Sequence, residues 1–224
     1  MPYSRFMRFD WSRLGGVEDA ARDLRWTAAE LAAAVSVRRG VLARFGTGPG
    51  RRVMIAHGGS PEFVADLLAV WSLGAAAISV DAGLTAGEVA TLRDYTGAVA
   101  ILVRGGASCP GLGVPVLEAG AEAAGNDPGD LAGALADEAL ILFTSGTTGQ
   151  PKGVVHSFRS LFARAALNRQ QIGAALGRSL CVLPTHFGHG LIGNCLTPLL
   201  AGGDVVFPGV PALRLAFGLG SLIA

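Results

Sequence analysis

Three observations predict an α/β fold, a layered sandwich of largely parallel sheets flanked by helices. Short apolar runs alternate along the chain with longer stretches whose apolar residues recur at helical spacing, the order expected of βαβ units. Half of the 224 residues are hydrophobic and only 16% are charged, which is too apolar for disorder and suits strands buried on both faces. Capping residues, glycines and prolines punctuate the pattern at the joints.

Residues before about Trp26 carry little pattern beyond a short helix expected over Val17 to Leu24. Thr27, with Glu30 three residues on, forms a capping box for a helix through Leu31, Val35 and Leu42 to Gly46. Val53 to Ala56 reads as a buried strand, leaving His57 alone in a loop. Ser60-Pro61-Glu62 opens a helix with proline in its first turn, running to a stop at Gly74. Ala75 to Val80 is the next strand. Thr85 and Glu88 cap a third helix, continuing to about Tyr95. Ala98 to Val103 and Val114 to Leu117 read as strands, and Leu140 to Phe143 as another. Val154 and Val155 resume the sheet, and Ser157 caps a helix from Phe158 to about Ile172. Leu180 to Leu183 reads as a strand, followed by an apolar helix through Leu191, Ile192, Leu196 and Leu199 to Gly202-Gly203. Asp204 to Phe207 begins one more strand.

The chemistry concentrates between Leu140 and Val155, where the loop Thr144-Ser-Gly-Thr-Thr-Gly-Gln-Pro-Lys-Gly153 joins two apolar runs. Glycines let backbone N–H groups approach an anion, hydroxyls add donors, and a lysine supplies a point charge for phosphate oxygens. Lys152 is the only lysine in the sequence; every other basic side chain is arginine or histidine. A Walker P-loop is excluded, because counting from Gly146 it needs glycine at Pro151 and Ser or Thr at Gly153. A polar surface turn is the bland alternative, and the density of Ser, Thr and Gly argues against it.

Thr144 to Gly153 resembles, without a gap, the phosphate loop of the adenylate-forming superfamily: acyl-CoA synthetases, peptide-synthetase adenylation domains and luciferase. Trp26-Thr-Ala-Ala-Glu-Leu, Gly48-Pro-Gly-Arg-Arg-Val, Ser60-Pro-Glu-Phe and Leu73-Gly-Ala-Ala-Ala-Ile-Ser-Val-Asp resemble its opening segments, in the right order. The resemblance implies an N-terminal extension over residues 1–25 and the front portion of an AMP-binding domain over 26–224. It implies activation of a small carboxylic acid by ATP and Mg²⁺ as an acyl-adenylate. Coenzyme A or a carrier protein's phosphopantetheine would then accept the acyl group. Thr144, Ser145, Gly146, Thr147, Thr148, Gly149 and Lys152 would hold the ATP phosphates, with Lys152 neutralising charge as pyrophosphate departs.

Pro184-Thr-His-Phe-Gly-His-Gly190 resembles the family's proline–aromatic–histidine motif beside the acyl pocket, but Phe187 stands where histidine is common. His186, Phe187 and His189 are pocket candidates, as is His156 beside the loop. His186 and His189 read equally well as hydrogen-bonded structural histidines. As a His-x-x-His metal pair they lack a third ligand at suitable spacing, so no metal site is assigned. Arg159, Arg164 and Arg169 are expected on the solvated side of their helix.

Composition excludes other classes. A net charge of +1 gives no electrostatic footprint for nucleic acid. Cys109, Cys181 and Cys195 have no metal or redox spacing and read as small core residues. The longest apolar run, Leu67 to Val80, is closed by Asp66 and Asp81 and is too short to span a bilayer. No leader pattern precedes Gly16. A cytoplasmic protein without a membrane span is the expectation.

The superfamily's later motifs are absent from the sequence: the aromatic–Gly–x–Thr–Glu segment with its magnesium glutamate, the ribose-binding aspartate and the lysine of the C-terminal domain. The expectation is therefore twofold: a carboxylate-activating ligase of which this chain carries the phosphate loop, or a truncated or split fragment. The fragment would bind nucleotide phosphate weakly, or need a partner chain supplying the missing half. An unrelated hydrolase or kinase is disfavoured by the failed Walker pattern.

Overall fold

The computed structural model describes residues 10–104, 113–118, 127–130, 137–144 and 152–209. Their strands form two sheets. The smaller contains β1 (Val17–Asp19), β2 (Leu24–Trp26), β9 (Arg178–Leu180) and β10 (Asp204–Phe207) in the order β2-β1-β10-β9. β10 runs parallel to both neighbours, and only β2 is antiparallel. The larger sheet has the order β6-β5-β3-β4-β7-β8. It comprises β3 (Arg52–Ile55), β4 (Ala76–Ser79), β5 (Ala100–Val103), β6 (Val116–Glu118), β7 (Glu138–Thr144) and β8 (Lys152–Ser157). All its pairs are parallel except β7 with β8. The layered, largely parallel architecture predicted by the alternating pattern is the one observed.

Among the described residues five α-helices accompany the sheets: α1 (Ala28–Arg44), α2 (Pro61–Ser72), α3 (Ala86–Thr96), α4 (Phe158–Ile172) and α5 (Thr197–Leu200). The capping boxes at Thr27 and Thr85 both close, with Glu30 and Glu88 returning to the cap N–H at 2.8 Å. Pro61 opens α2 behind the Ser60 cap. Gly74 follows its end at φ 74°, a left-handed conformation that a side chain would strain.

α2 is the centre of the molecule. It packs against β1 of the smaller sheet and against β3 and β4 of the larger, with α1 alongside. Phe63, Val64, Leu67, Leu68, Val70 and Trp71 are all buried. Alternation along the strands divides the remaining apolar residues between two cores. Ile55, Ala77, Leu102, Leu140 and Leu142 face the α2 side, while Met54, Ile78, Ile101 and Ile141 face α3 through Val89 and Leu92. Trp71 ties the centre to β7, its indole N–H donating to the Ala139 carbonyl at 2.7 Å and its ring meeting Phe158 edge-on at 5.7 Å.

A helix buried on all sides cannot leave its acids unpaired. Asp66 is fully buried, with Arg38 Nε 2.8 Å from its Oδ1 and His57 Nε2 2.8 Å from its Oδ2. His57 does lie in the loop after β3, as expected, yet it is buried and belongs to this network. While Arg22 Nε donates to Asp19, Glu62 accepts from Arg22 Nη1 and Nη2 at 2.7 Å each. Burial alone would raise its pKa, but the bonds from Arg22 and Ser60, its own backbone N–H and the charge of Arg104 outweigh that and hold it at about 2.

Two local expectations are corrected. Val17 to Leu24 is not a helix but β1, a turn and β2. The Asp19 carboxylate accepts the N–H groups of Ala21 and Arg22, closing the turn, and Asp23 adopts φ 51°. Pairing of β1 with β10 overrides the helical preference of Ala20 and Ala21. The strand expected over Leu180 to Leu183 is Arg178–Leu180, whose parallel ladder with β10 runs from the Arg178–Asp204 pair to the Leu180–Val206 pair.

Two stability experiments follow. Asp66→Ala removes the buried carboxylate that Arg38 and His57 both face and should cost about 3–5 kcal/mol in urea unfolding. A loss under about 1 kcal/mol would show that the network carries little stability. Arg22→Met should cost ~1–2 kcal/mol at about pH 7. Because the folded pKa of Glu62 lies below its ordinary 4.5, this contribution is present above pH 4.5 and is lost as pH falls toward about 2. The gap between wild type and variant should therefore narrow below pH 4.5; a gap that stays constant contradicts the assignment.

Candidate functional site

The carboxyl ends of β4 and β7 lie side by side, since Ser79 is in register with Leu142. In open parallel sheets this edge is where ligands gather. The hydroxyl–glycine loop leaves β7 at Thr144 and returns at Lys152, the two residues facing each other as the last pair of the antiparallel β7–β8 ladder. Thr144 Oγ1 donates to the Lys152 carbonyl at 3.4 Å. Lys152 is exposed and no carboxylate among the described residues pairs with it. Ser145, Gly146, Thr147, Thr148 and Gly149 lie outside the described residues.

Lys152, Val154 and His156 share one face of β8 by strand alternation, so the lysine and His156 stand about 13 Å apart along the strand. His156 opens onto a cleft of about 510 Å³ between α4 and the segment His189–Leu196. α4 lines it with Ser160, Arg164, Asn168 and Ile172, one residue per turn. The opposite wall is Gly188, His189, Ile192, Gly193 and Asn194. Burial first, and the nearby Arg164 guanidinium second, hold the His156 imidazole below its ordinary range.

The four pocket candidates do not all meet in this cleft. His156 and His189 line it; His186 and Phe187 are not among its lining residues. His186 Nε2 is 3.8 Å from Asp81 Oδ2, just beyond the end of β4, and its ring packs on exposed Phe187 at 4.3 Å. Ser79 Oγ donates to the Thr185 carbonyl at 3.1 Å, fastening this loop to the sheet edge. Gly190 makes the turn fit, because a Cβ there would overlap the Pro184 carbonyl oxygen.

His189–Leu196 is π-helical, where a plain helix was expected. Pro198 has no N–H to return to Asn194, and Gly190 and Gly193 stiffen the helix poorly. The Thr197 N–H instead reaches Ile192 O, five residues back, and Thr197 Oγ1 donates to the same oxygen at 2.7 Å. Asn168 Nδ2 donates to Thr197 Oγ1 at 3.1 Å, joining α4 to this segment across the cleft. Such widened turns recur at functional sites.

Sequence reasoning missed Ser160, Asn168, Asn194 and the position of Arg164. Arg159, Arg164 and Arg169 are exposed as expected, but Arg164 alone of the three lines the cleft. The fourfold spacing from Ser160 to Ile172 was the available signal. Cys181 and Cys195 are buried core thiols, and Cys195 is pushed well above its ordinary pKa by its hydrogen bond with Cys181 and by burial. Cys109 lies outside the described residues. Among the described residues there is no cluster of three metal-ligating side chains and no helix long and apolar enough to cross a membrane.

Residues 16–219 match the family model of the AMP-binding enzyme. The chain belongs to that family. It is 30% identical over 171 residues to the long-chain-fatty-acid–CoA ligase FadD13 of Mycobacterium tuberculosis, a match covering 69% of this chain and 34% of that protein. It is 29% identical over 182 residues to the malonate–CoA ligase of Arabidopsis thaliana, covering 73% of this chain and 30% of that protein. The o-succinylbenzoate CoA synthetase of Bacillus subtilis, solved with its acyl-adenylate, superposes with a TM-score of 0.79 at 22% identity, over 94% of this chain and 44% of that one. The chain thus spans about a third of the length of these two curated relatives. The fold is that of the adenylate-forming N-terminal domain, and the family is one of AMP-binding, acyl-CoA-ligase-like enzymes.

Two causes acting on His156 can be separated by titration. Histidine NMR should place His156 below pH 6.5, and Arg164→Gln should raise it only part of the way back, because burial is the larger cause. Full recovery in the variant would reassign the shift to the charge alone.

Proposed function

We propose that this chain supplies the triphosphate-binding loop and one side of the acid pocket of a carboxylate-activating, acyl-CoA-ligase-like enzyme. The observation that carries this reading is the placement of Lys152. The single lysine of the sequence stands exposed at the carboxyl edge of the sheet, with no ion-pair partner among the described residues, on the same strand face as His156 in the cleft. Its ammonium would bind the β- and γ-phosphates of ATP beside the Thr144 hydroxyl, with Ser145 to Gly149 adding donors. The substrate carboxylate, entering from the cleft past His189, would then meet the α-phosphate between the two, giving acyl-adenylate and pyrophosphate.

Charge neutralisation by Lys152 is the step assigned to this chain. The described residues hold no acidic set for Mg²⁺, which would be carried by the triphosphate and residues of the remaining enzyme. Coenzyme A or a phosphopantetheine arm is the acceptor proposed for the acyl group. The second reading is a split or non-catalytic piece. It would bind phosphate and acid, and would need a partner chain to react them. A cytoplasmic setting, where ATP and thiol acceptors are available, accompanies either reading.

Calorimetric titration with ATP and ATP–pyrophosphate exchange across a panel of acids separate these readings. Lys152→Ala should weaken ATP binding by about tenfold or more, the effect of one charge-assisted hydrogen bond. Exchange that disappears in the variant supports a complete adenylation site. Binding without exchange, in a folded protein, supports the partner-dependent reading. Unaltered ATP affinity in Lys152→Ala overturns the phosphate assignment in both.

A further inference from the structure

Granting that the cleft between α4 and the π-helical segment is the acid pocket, its lining specifies more than a carboxylic acid. We infer that it takes a short acid whose far end carries a second anionic group, and that Arg164 binds that group.

Among the residues lining the cleft there is one guanidinium, Arg164, and no carboxylate. Arg164 makes neither a hydrogen bond nor an ion pair among the described residues. Elsewhere on the surface Arg22, Arg25, Arg52 and Arg178 each meet a carboxylate within 2.9 Å. Arg164 instead stands in the middle of an α4 stripe, between Ser160 and Asn168, pointing its charge at a concave space. A planar guanidinium in such a place is a ready fork for a carboxylate or another oxyanion.

The rest of the lining rules against the main competitor, a long alkyl tail. Ile172 and Ile192 are the only large apolar residues of the cleft, and the remainder are Ser, Asn, His and Gly beside Arg164. A hydrocarbon chain laid here would cover the Arg164 charge while gaining little apolar contact. An anionic tail turns the same arginine into an attractive partner. Arg164 stands about 6 Å, one helical turn, beyond Ser160, so a short tail suffices.

The test is calorimetric titration of this chain with glutarate and with pentanoate, which have the same carbon count but differ in the second carboxylate. Wild type, Arg164→Gln and Arg159→Gln are compared near physiological salt, with thermal unfolding as the check on folding. Arg159 is an exposed neighbour on α4 outside the cleft. Wild type and Arg159→Gln should bind glutarate about tenfold or more tighter than pentanoate, and Arg164→Gln should abolish the preference with its melting midpoint unchanged. Equal binding of the two acids, or a glutarate preference that survives in Arg164→Gln, overturns the tail assignment while leaving the acid pocket standing. Failure of wild type to bind either acid overturns the pocket reading as well. A loss shared by Arg159→Gln would reduce the effect to general surface charge and also overturns the proposal. Should Arg164→Gln melt early, Arg164→Lys serves instead: it keeps the charge without the fork, and an unchanged preference in it counts against bidentate recognition.

Discussion

The burial of α2 is the constraint on which the rest of the structure depends. A helix held between two sheets excludes water from every face, so each polar group it carries has to find a partner inside the protein. Its two acids do so in different directions. Glu62 reaches Arg22 in the turn between β1 and β2, and Asp66 reaches Arg38 on α1 and His57 after β3. These pairs set where the smaller sheet and α1 lie relative to the larger sheet. Removing Asp66 disturbs a charge network in a dry interior, whereas the partly exposed Arg22–Glu62 pair can be hydrated in part when it is broken.

The same helix positions the site without touching it. Trp71, near its end, binds the Ala139 carbonyl and packs on Phe158, so β7 and the start of α4 are registered against the central helix. β7 then delivers Thr144 to the carboxyl edge of the sheet, and α4 delivers Ser160, Arg164 and Asn168 to the cleft. Rigid, buried elements carry the exposed chemistry, as preorganisation of a binding site requires. The π-helical turn completes the cleft by letting a glycine-rich segment pass close to Pro184 and still carry His189 and Asn194 into it.

Much of this was legible in the residues. Capping boxes, Pro61 at a helix start and Gly74 at its end work through backbone contacts a few residues apart, and the sequence displays them directly. The hydroxyl–glycine loop stood out for the same reason: its pattern is written in consecutive residues. His57 was not, because its meaning depends on Asp66 and Arg38, which the fold brings together across a helix pair. β1 and β2 were hidden in a helix-compatible stretch, since pairing with β10, far along the chain, decides their conformation.

The sequence by itself determined the α/β class, the order of most elements, the family and the loop with its single lysine, because these rest on local periodicity and contiguous motifs. Only the tertiary structure decided which histidines share a cleft. His156 and His189 both line it, while His186 stands 3.8 Å from Asp81. Only the tertiary structure turned Arg164 from one of three arginines on a wet helix into the sole cation of a concave surface. Neighbourhood in space, and the burial that sharpens or screens a charge, are properties of packing between distant segments, and no single stretch of residues encodes them.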